Sequence, residues 1–247
     1  MAEASSSNSK SVNDSNGTVD NYLLLVRLIS SYDPTITRLL SVPSTFSFLQ
    51  FHQILQIAFG WAGCHAFSFA GTKPFENDPK ADQLRRYGIR GKDVLSIHMD
   101  DDVCASMSES FNDPDIDFKA CADLTLKDAY EGDKYGAVEI QYEYDHGDSW
   151  EHQITFLGKE NKNVRKSMLI PDGFKVVCMA GEGHPCAEDC GGEPGWEDLK
   201  KVFKGKKADD RKDWYKNSCA NGDPKGLDPY KWDILEVNRE LAKMFPA

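Results

Sequence analysis

The sequence predicts a single α+β domain, with a mixed or antiparallel sheet packed against a few helices. Three observations carry that reading. Several short apolar runs alternate with the period of two that a half-buried strand imposes. Other segments carry apolar residues at helical spacing between capping residues. At 247 residues and 40% hydrophobic content, the chain can bury one large core. Residues 20–247 are expected to form this domain. Residues 1–19, rich in Ser and Asn and poor in large apolar groups, are expected to be a disordered tail, because they cannot offset the entropy of ordering.

In chain order, residues 22–29 (YLLLVRLI) and 35–42 (TITRLLSV) predict paired strands, separated by a turn marked by Asp33-Pro34. A helix is expected to open at the hydroxyl cap Ser44-Thr45, to run through FSFLQFHQILQIAF and to stop at Gly60. Phe48, His52, Leu55 and Phe59 share one of its faces. HAFSFA (65–70) and VLSIHM (94–99) predict strands, whereas the polar stretches 71–92 and 100–123 predict long loops of the kind that form lids. A short helix is expected over 124–130, a helix with Pro194 in its first turn around Trp196, Leu199, Val202 and Phe203, and a last helix over 233–244. That last helix carries a stripe of Ile234, Val237, Leu241 and Met244.

Between these elements lies the segment richest in chemistry, EYDHGDSWEH (143–152). Val138, Ile140, Tyr142 and Tyr144 alternate with polar residues, as do Trp150, His152, Ile154 and Phe156, so both arms of a hairpin turn their even positions inward. Facing residue numbers must then add to an even total, which requires a connection of odd length. A three-residue loop, His146-Gly147-Asp148, meets this condition, with Gly147 at positive φ. Tyr144 would face Trp150, and Tyr142 would face His152. The inward imidazole of His152 reads either as a satisfied core histidine or as a general base in a partly desolvated pocket. His146 and Asp148 at the tip read first as turn chemistry.

Composition excludes several classes of function. Acidic residues outnumber basic ones by 40 to 29, and the net charge of -11 disfavours nucleic acid as a partner despite the lysines at 200, 201, 204, 206 and 207. No apolar run is long enough to span a membrane and no signal-peptide pattern opens the chain, so a cytoplasmic location is expected. Seven scattered cysteines suit reduced thiols rather than a disulfide framework. No phosphate-binding loop, dinucleotide fingerprint or nucleophile elbow is present, and no organic cofactor is expected.

The second chemical segment is CMAGEGHPCAEDCGGEPGW (178–196). Cys178, His184, Cys186 and Cys190 are the ligand types that zinc prefers, although their spacing lacks the paired knuckles of common zinc modules. The alternative is a glycine-rich loop in which the thiols pack as small apolar groups.

TITRLLSVP, FLQFHQILQIAFGWAGCHAFSF, YEYDHGDSWEHQI, AEDCGGEPGW and DPYKWDILEVNREL together resemble the plasmid pRiA4b ORF-3-like family, which includes passenger proteins of some transposons. The resemblance spans about residues 22–242 and implies an α+β fold with a strongly bent sheet. It also implies a signature of Trp61, His65, Tyr144, Asp145, Gly147, Asp148, Trp150, Glu151, His152, Glu188, Asp189, Cys190, Gly191 and Gly192. The chain departs from the family pattern at His65-Ala66-Phe67, where members carry a second imidazole, and at Cys186, where the first thiol is shifted by one. The resemblance implies no reaction, but the histidines, carboxylates and aromatic residues themselves lead to the expectation of an acid-base enzyme, performing cyclisation, isomerisation, elimination or hydrolysis on a small organic molecule. His152 would be the general base, Asp148 or Asp189 its partner, and His65, Glu151 and Glu188 would converge with it. Trp61, Tyr142, Tyr144, Trp150 and His146 would line the substrate. The alternatives are a non-catalytic interaction module and a Cys/His metal protein.

Overall fold

The computed structural model describes residues 19–74, 80, 90–171 and 173–246. Nearly all of the segment expected as a disordered tail, and most of the first expected loop, lie outside the described residues. Eight strands form one open sheet in the order β5-β4-β3-β6-β7-β1-β2-β8. They are β1 (Asn21–Leu28), β2 (Thr37–Pro43), β3 (Phe67–Lys73), β4 (Lys92–His98), β5 (Asp117–Ala120), β6 (Glu139–Tyr144), β7 (Trp150–Lys159) and β8 (Val177–Glu182). Every pairing is antiparallel except that of β4 with β5. The helices are α1 (Phe48–Phe59), α2 (Asp101–Phe111), α3 (Leu126–Glu131), α4 (Lys162–Ser167), α5 (Gly192–Lys204), α6 (Asp210–Asn217) and α7 (Ile234–Met244). The α+β class is as the sequence predicts. Among the described residues no helix is long and apolar enough to cross a membrane.

Alternation decides which strand face is buried. Tyr22, Leu24, Val26 and Leu28 of β1 are buried while their odd-numbered neighbours are not. Each such aliphatic side chain contributes about 1.5–3 kcal/mol through removal from water. The central hairpin keeps the predicted register, with Tyr142 opposite His152 and Tyr144 opposite Trp150. Its connection, residues 145–149, is odd in length as the shared buried face demands, but it has five residues and not the expected three. The positive φ angles fall on Asp145 (58°) and Ser149 (52°), however, and not on the expected Gly147. Asp145 tolerates that conformation because its carboxylate accepts the Gly147 N–H at 2.9 Å, while Ser149 N donates to the Asp145 carbonyl at 2.6 Å.

Helix α1 begins three residues beyond the expected cap. Ser47 and Gln50 form a reciprocal capping box, and Gly60 ends the helix in the left-handed conformation at φ 64°. Strand β3 starts at Phe67, which leaves His65 in the preceding loop rather than in a strand. The stretch 100–123, expected as a loop, instead holds α2 and β5. Asp100 caps α2 by accepting the Val103 N–H, and β5 returns parallel to β4. Periodicity misses α2 because Cys104 is its one buried residue, so the helix shows no apolar stripe. Helix α7, capped by Asp233, packs on β8 and α1 with Leu241 fully buried, although Met244 of the expected stripe is about half exposed.

Candidate functional site

Three irregular segments meet at the turn end of the central hairpin: residues 60–66 after α1, the turn 145–149, and residues 183–192 before α5. Asp145, Ser149, Cys186 and Asp189 all have positive φ, as do Gly60, Gly63, Gly183, Gly191 and Gly192. A non-glycine residue held there stores roughly 1–3 kcal/mol, and such residues gather where function fixes the backbone.

Glu188 is the anchor of this region, with a relative exposure of 2%. Its Oε1 accepts the Tyr144 hydroxyl at 2.6 Å and its Oε2 accepts the Ala62 N–H at 2.8 Å. Its own N–H donates to Asn221 Oδ1 at 3.0 Å, and Asn221 Nδ2 donates in turn to the Cys186 carbonyl at 2.7 Å. The Tyr144 oxygen also accepts the Cys64 N–H at 3.2 Å. Burial, reinforced by the adjoining Glu188 carboxylate, raises the Tyr144 hydroxyl far above the usual phenol range and raises the Cys64 thiol as well.

His65 faces this anchor. Its Nε2 lies 3.0 Å from Asp189 Oδ1, 3.8 Å from Asp145 Oδ2 and 4.0 Å from Glu188 Oε1. Side-chain exposure is graded across the group, at 1% for Glu188, 11% for Asp145, 29% for His65 and 59% for Asp189. The cluster therefore runs from the interior toward solvent, with Asp189 outermost and the His65 Nε2 atom itself buried. Two ligand sets share the imidazole, His65 with Asp145 and Asp189, and His65 with Cys64 and Glu188. Within each set all ligand atoms lie within 4.8 Å of one another.

The convergence expected from the sequence is thus only partly met. His65, Glu188 and Asp189 come together, but His152 and Glu151 do not join them. Glu151 is exposed on the other side of β7. His152 is 1% exposed, with ring centroids 4.6 Å from Phe59, 5.4 Å from Tyr142 and 5.6 Å from Trp61. Neither ring nitrogen makes a hydrogen bond of normal geometry, and burial outweighs the pull of the Tyr142 and Trp150 backbone to push its pKa down to about 3. Tyr142 points the same way into the core, where its hydroxyl meets His52 Nδ1 at 2.8 Å and Gln56 Nε2 at 2.9 Å. Trp61 packs against Tyr144 and Trp150 as a wall of that core, and all three are buried. His146 is exposed beside Ser68. Asp148 serves as a clamp, since its Oδ2 accepts the Gly191 N–H at 3.1 Å and ties the hairpin to the glycine-rich segment.

The expected zinc quartet is likewise not assembled. Cys178 donates to the Ala180 carbonyl, His184 Nε2 meets the Tyr215 hydroxyl at 3.0 Å, and Cys190 donates to the Gly192 carbonyl. Burial raises the thiols of Cys178 and Cys190 to about 12 and that of Cys186 well above its ordinary value. All seven cysteines are free. Sequence reasoning gave no role to Asp145, Cys64 or Asn221. The signal for the first two was adjacency, to a turn and to His65, whereas Asn221 reaches Glu188 only through the tertiary fold.

Comparison with known proteins places this arrangement. Over 168 residues, 68% of its length, the chain is 24% identical to the uncharacterized protein y4hQ of Sinorhizobium fredii (strain NBRC 101917 / NGR234), and it spans 65% of that relative. A crystal structure of the protein of unknown function MM3350 from Methanosarcina mazei Go1 matches with a TM-score of 0.59 and 21% identity. The match covers 89% of this chain and 99% of the other, so the fold is shared. The model of the plasmid pRiA4b ORF-3-like proteins matches residues 20–239, a span that includes every segment of the cluster, and the chain belongs to that family.

Proposed function

We propose that His65, Asp145 and Asp189 hold a divalent metal ion, and that the centre so formed carries out acid-base chemistry on a small organic molecule. The reaction would be a cyclisation, isomerisation, elimination or hydrolysis. The observation that carries this reading is the approach of three carboxylates to one imidazole nitrogen, at 3.0, 3.8 and 4.0 Å. One imidazole and two carboxylates supply a mixed N/O ligand set suited to zinc, manganese or ferrous iron, and three protein ligands leave positions open for water and substrate. Glu188, fixed by Tyr144 and Ala62, would orient the set from behind. A bound metal would supply Lewis acidity and a more acidic water.

Titration of the whole chain with Mn²⁺ by calorimetry tests this reading, because manganese prefers oxygen and nitrogen donors to the exposed Cys64 thiol. One ion per chain is expected. His65→Ala and Asp189→Asn should each weaken binding by about 100-fold or more, beyond the 10- to 100-fold typical of supporting residues. Affinity unchanged in both variants would overturn the metal assignment. A metal-free acid-base pair of His65 and Asp189 is the second reading, favoured by their 3.0 Å separation, and it takes over if the native protein binds no ion.

A further inference from the structure

A second site lies outside this cluster. A cavity of about 500 Å³ opens between the C-terminal turn of α1, Arg38 of β2, the loop before α7 and the first turns of α7. Its size suits a small organic ligand. None of His65, Asp145, Glu188 or Asp189 lines it.

Three features define what it would hold. Its floor is aromatic, and that floor is rigid. Arg38, with no exposed surface, sits between Phe59 and Trp232, its guanidinium carbon 5.0 and 4.6 Å from their ring centroids. The same guanidinium donates to the carbonyls of Ala58, Thr37, Glu182 and Gly183, so it braces the floor and is not a free anion receptor. The rim is acidic: Asp223, Asp228, Asp233, Glu236 and Glu240 face the single lysine Lys231, which is itself paired with Asp223. Two polar groups in the lining are also incompletely satisfied. His184 is 7% exposed, and its Nδ1 makes no hydrogen bond of normal geometry, only a loose contact with the Asn221 backbone. The buried Trp232 Nε1–H has no acceptor. A buried donor without an acceptor is unfavourable, and a ligand oxygen would offset that cost.

We infer that this cavity binds a small organic cation: a protonated amine on a planar apolar body that also carries a hydroxyl or carbonyl oxygen. The ring would lie against Trp232 and Phe59, the oxygen would accept from Trp232 or His184, and the ammonium would face Glu236 and Glu240. Asn221 lines the cavity and also holds the Glu188 backbone, so the two sites share one residue.

Tyramine carries all three features and is the probe. Its matched control is 3-(4-hydroxyphenyl)propionate, which keeps the ring and hydroxyl and reverses the charge. Calorimetry or ligand-observed NMR on the whole chain should show saturable tyramine binding in the millimolar range or tighter and none for the propionate. The double variant Glu236→Lys with Glu240→Lys changes the rim without touching the core. It should weaken tyramine by about tenfold, the sum of two reversed surface pairs, and leave Mn²⁺ titration intact. Trp232→Phe keeps the aromatic floor and removes the orphan donor, and should weaken binding several-fold. Absence of saturable tyramine binding up to about 10 mM would overturn the inference, as would equal binding of the propionate or an unaffected double variant. Because the Mn²⁺ readout is separate, failure here leaves the metal reading standing, and failure there leaves this one.

Discussion

Three of the four buried imidazoles, those of His52, His152 and His184, make the stability of this protein depend steeply on mild acid. Burial holds His152 at a pKa of about 3 and both His52 and His184 at about 4. In the unfolded chain each returns to roughly 6.5. Above that value all are neutral in both states, and they contribute no pH dependence. As pH falls below it, the unfolded chain takes up protons that the folded chain refuses, so stability is lost from about pH 6.5 downward until the folded values are passed. Each proton difference costs about 1.4 kcal/mol per pH unit, and three give roughly 3 to 4 kcal/mol per unit near pH 5. Urea unfolding followed by tryptophan fluorescence at intervals from pH 6.5 to 4.5 measures this slope. His152→Leu removes one titrating group and should lower the slope by about 1.4 kcal/mol per unit, whatever it does to the absolute stability. Carboxylates contribute equally to both proteins and cancel in the difference. An unchanged slope in the variant, or a folded-state NMR titration of His152 centred near 6.5, would refute the reasoning. The same depressed value argues against His152 as a general base, since a group so weakly basic accepts few protons at neutral pH.

Two further substitutions probe the anchor and the clamp. Tyr144→Phe deprives the buried Glu188 of its hydroxyl donor and Cys64 N–H of its acceptor. The loss of a bond to a charged group should cost about 1.5–3 kcal/mol in urea unfolding and weaken Mn²⁺ about tenfold; unchanged values would show that Glu188 does not depend on it. Gly192→Ala places a methyl group 2.6 Å from the Asp148 carbonyl oxygen at φ 68°. A destabilisation of about 2 kcal/mol or more should follow, and a melting temperature within a degree of wild type would contradict the tight packing of turn against α5.

Much of the frame was legible because local rules set it. Period-two alternation placed Tyr142 opposite His152, since a shift of one residue would have turned the whole buried face to solvent. A glycine of the kind that takes the left-handed conformation marked the end of α1. The failures are equally local. Helix α2 buries only Cys104, so its sequence reads as a polar loop. The turn glycine, Gly147, was given the strained conformation that Asp145 and Ser149 take, because a carboxylate bonding its own backbone is invisible to composition.

By itself the sequence determined six of the eight strands, the inward histidine, the family motifs and the residue types able to do chemistry, but not β5 or β8. Only the tertiary structure decided which of them meet. His152 and His65 are both histidines in family motifs, yet one is enclosed by Phe59 and Trp61 while the other lies 3.0 Å from Asp189 at the edge of solvent. The difference arises because side-chain direction follows from neighbours close in the chain, whereas a site depends on loops separated by more than a hundred residues arriving at one place. That arrival is fixed by long-range bonds such as Ala62 N–H to the Glu188 carboxylate and Glu188 N–H to Asn221 Oδ1, which no local pattern encodes.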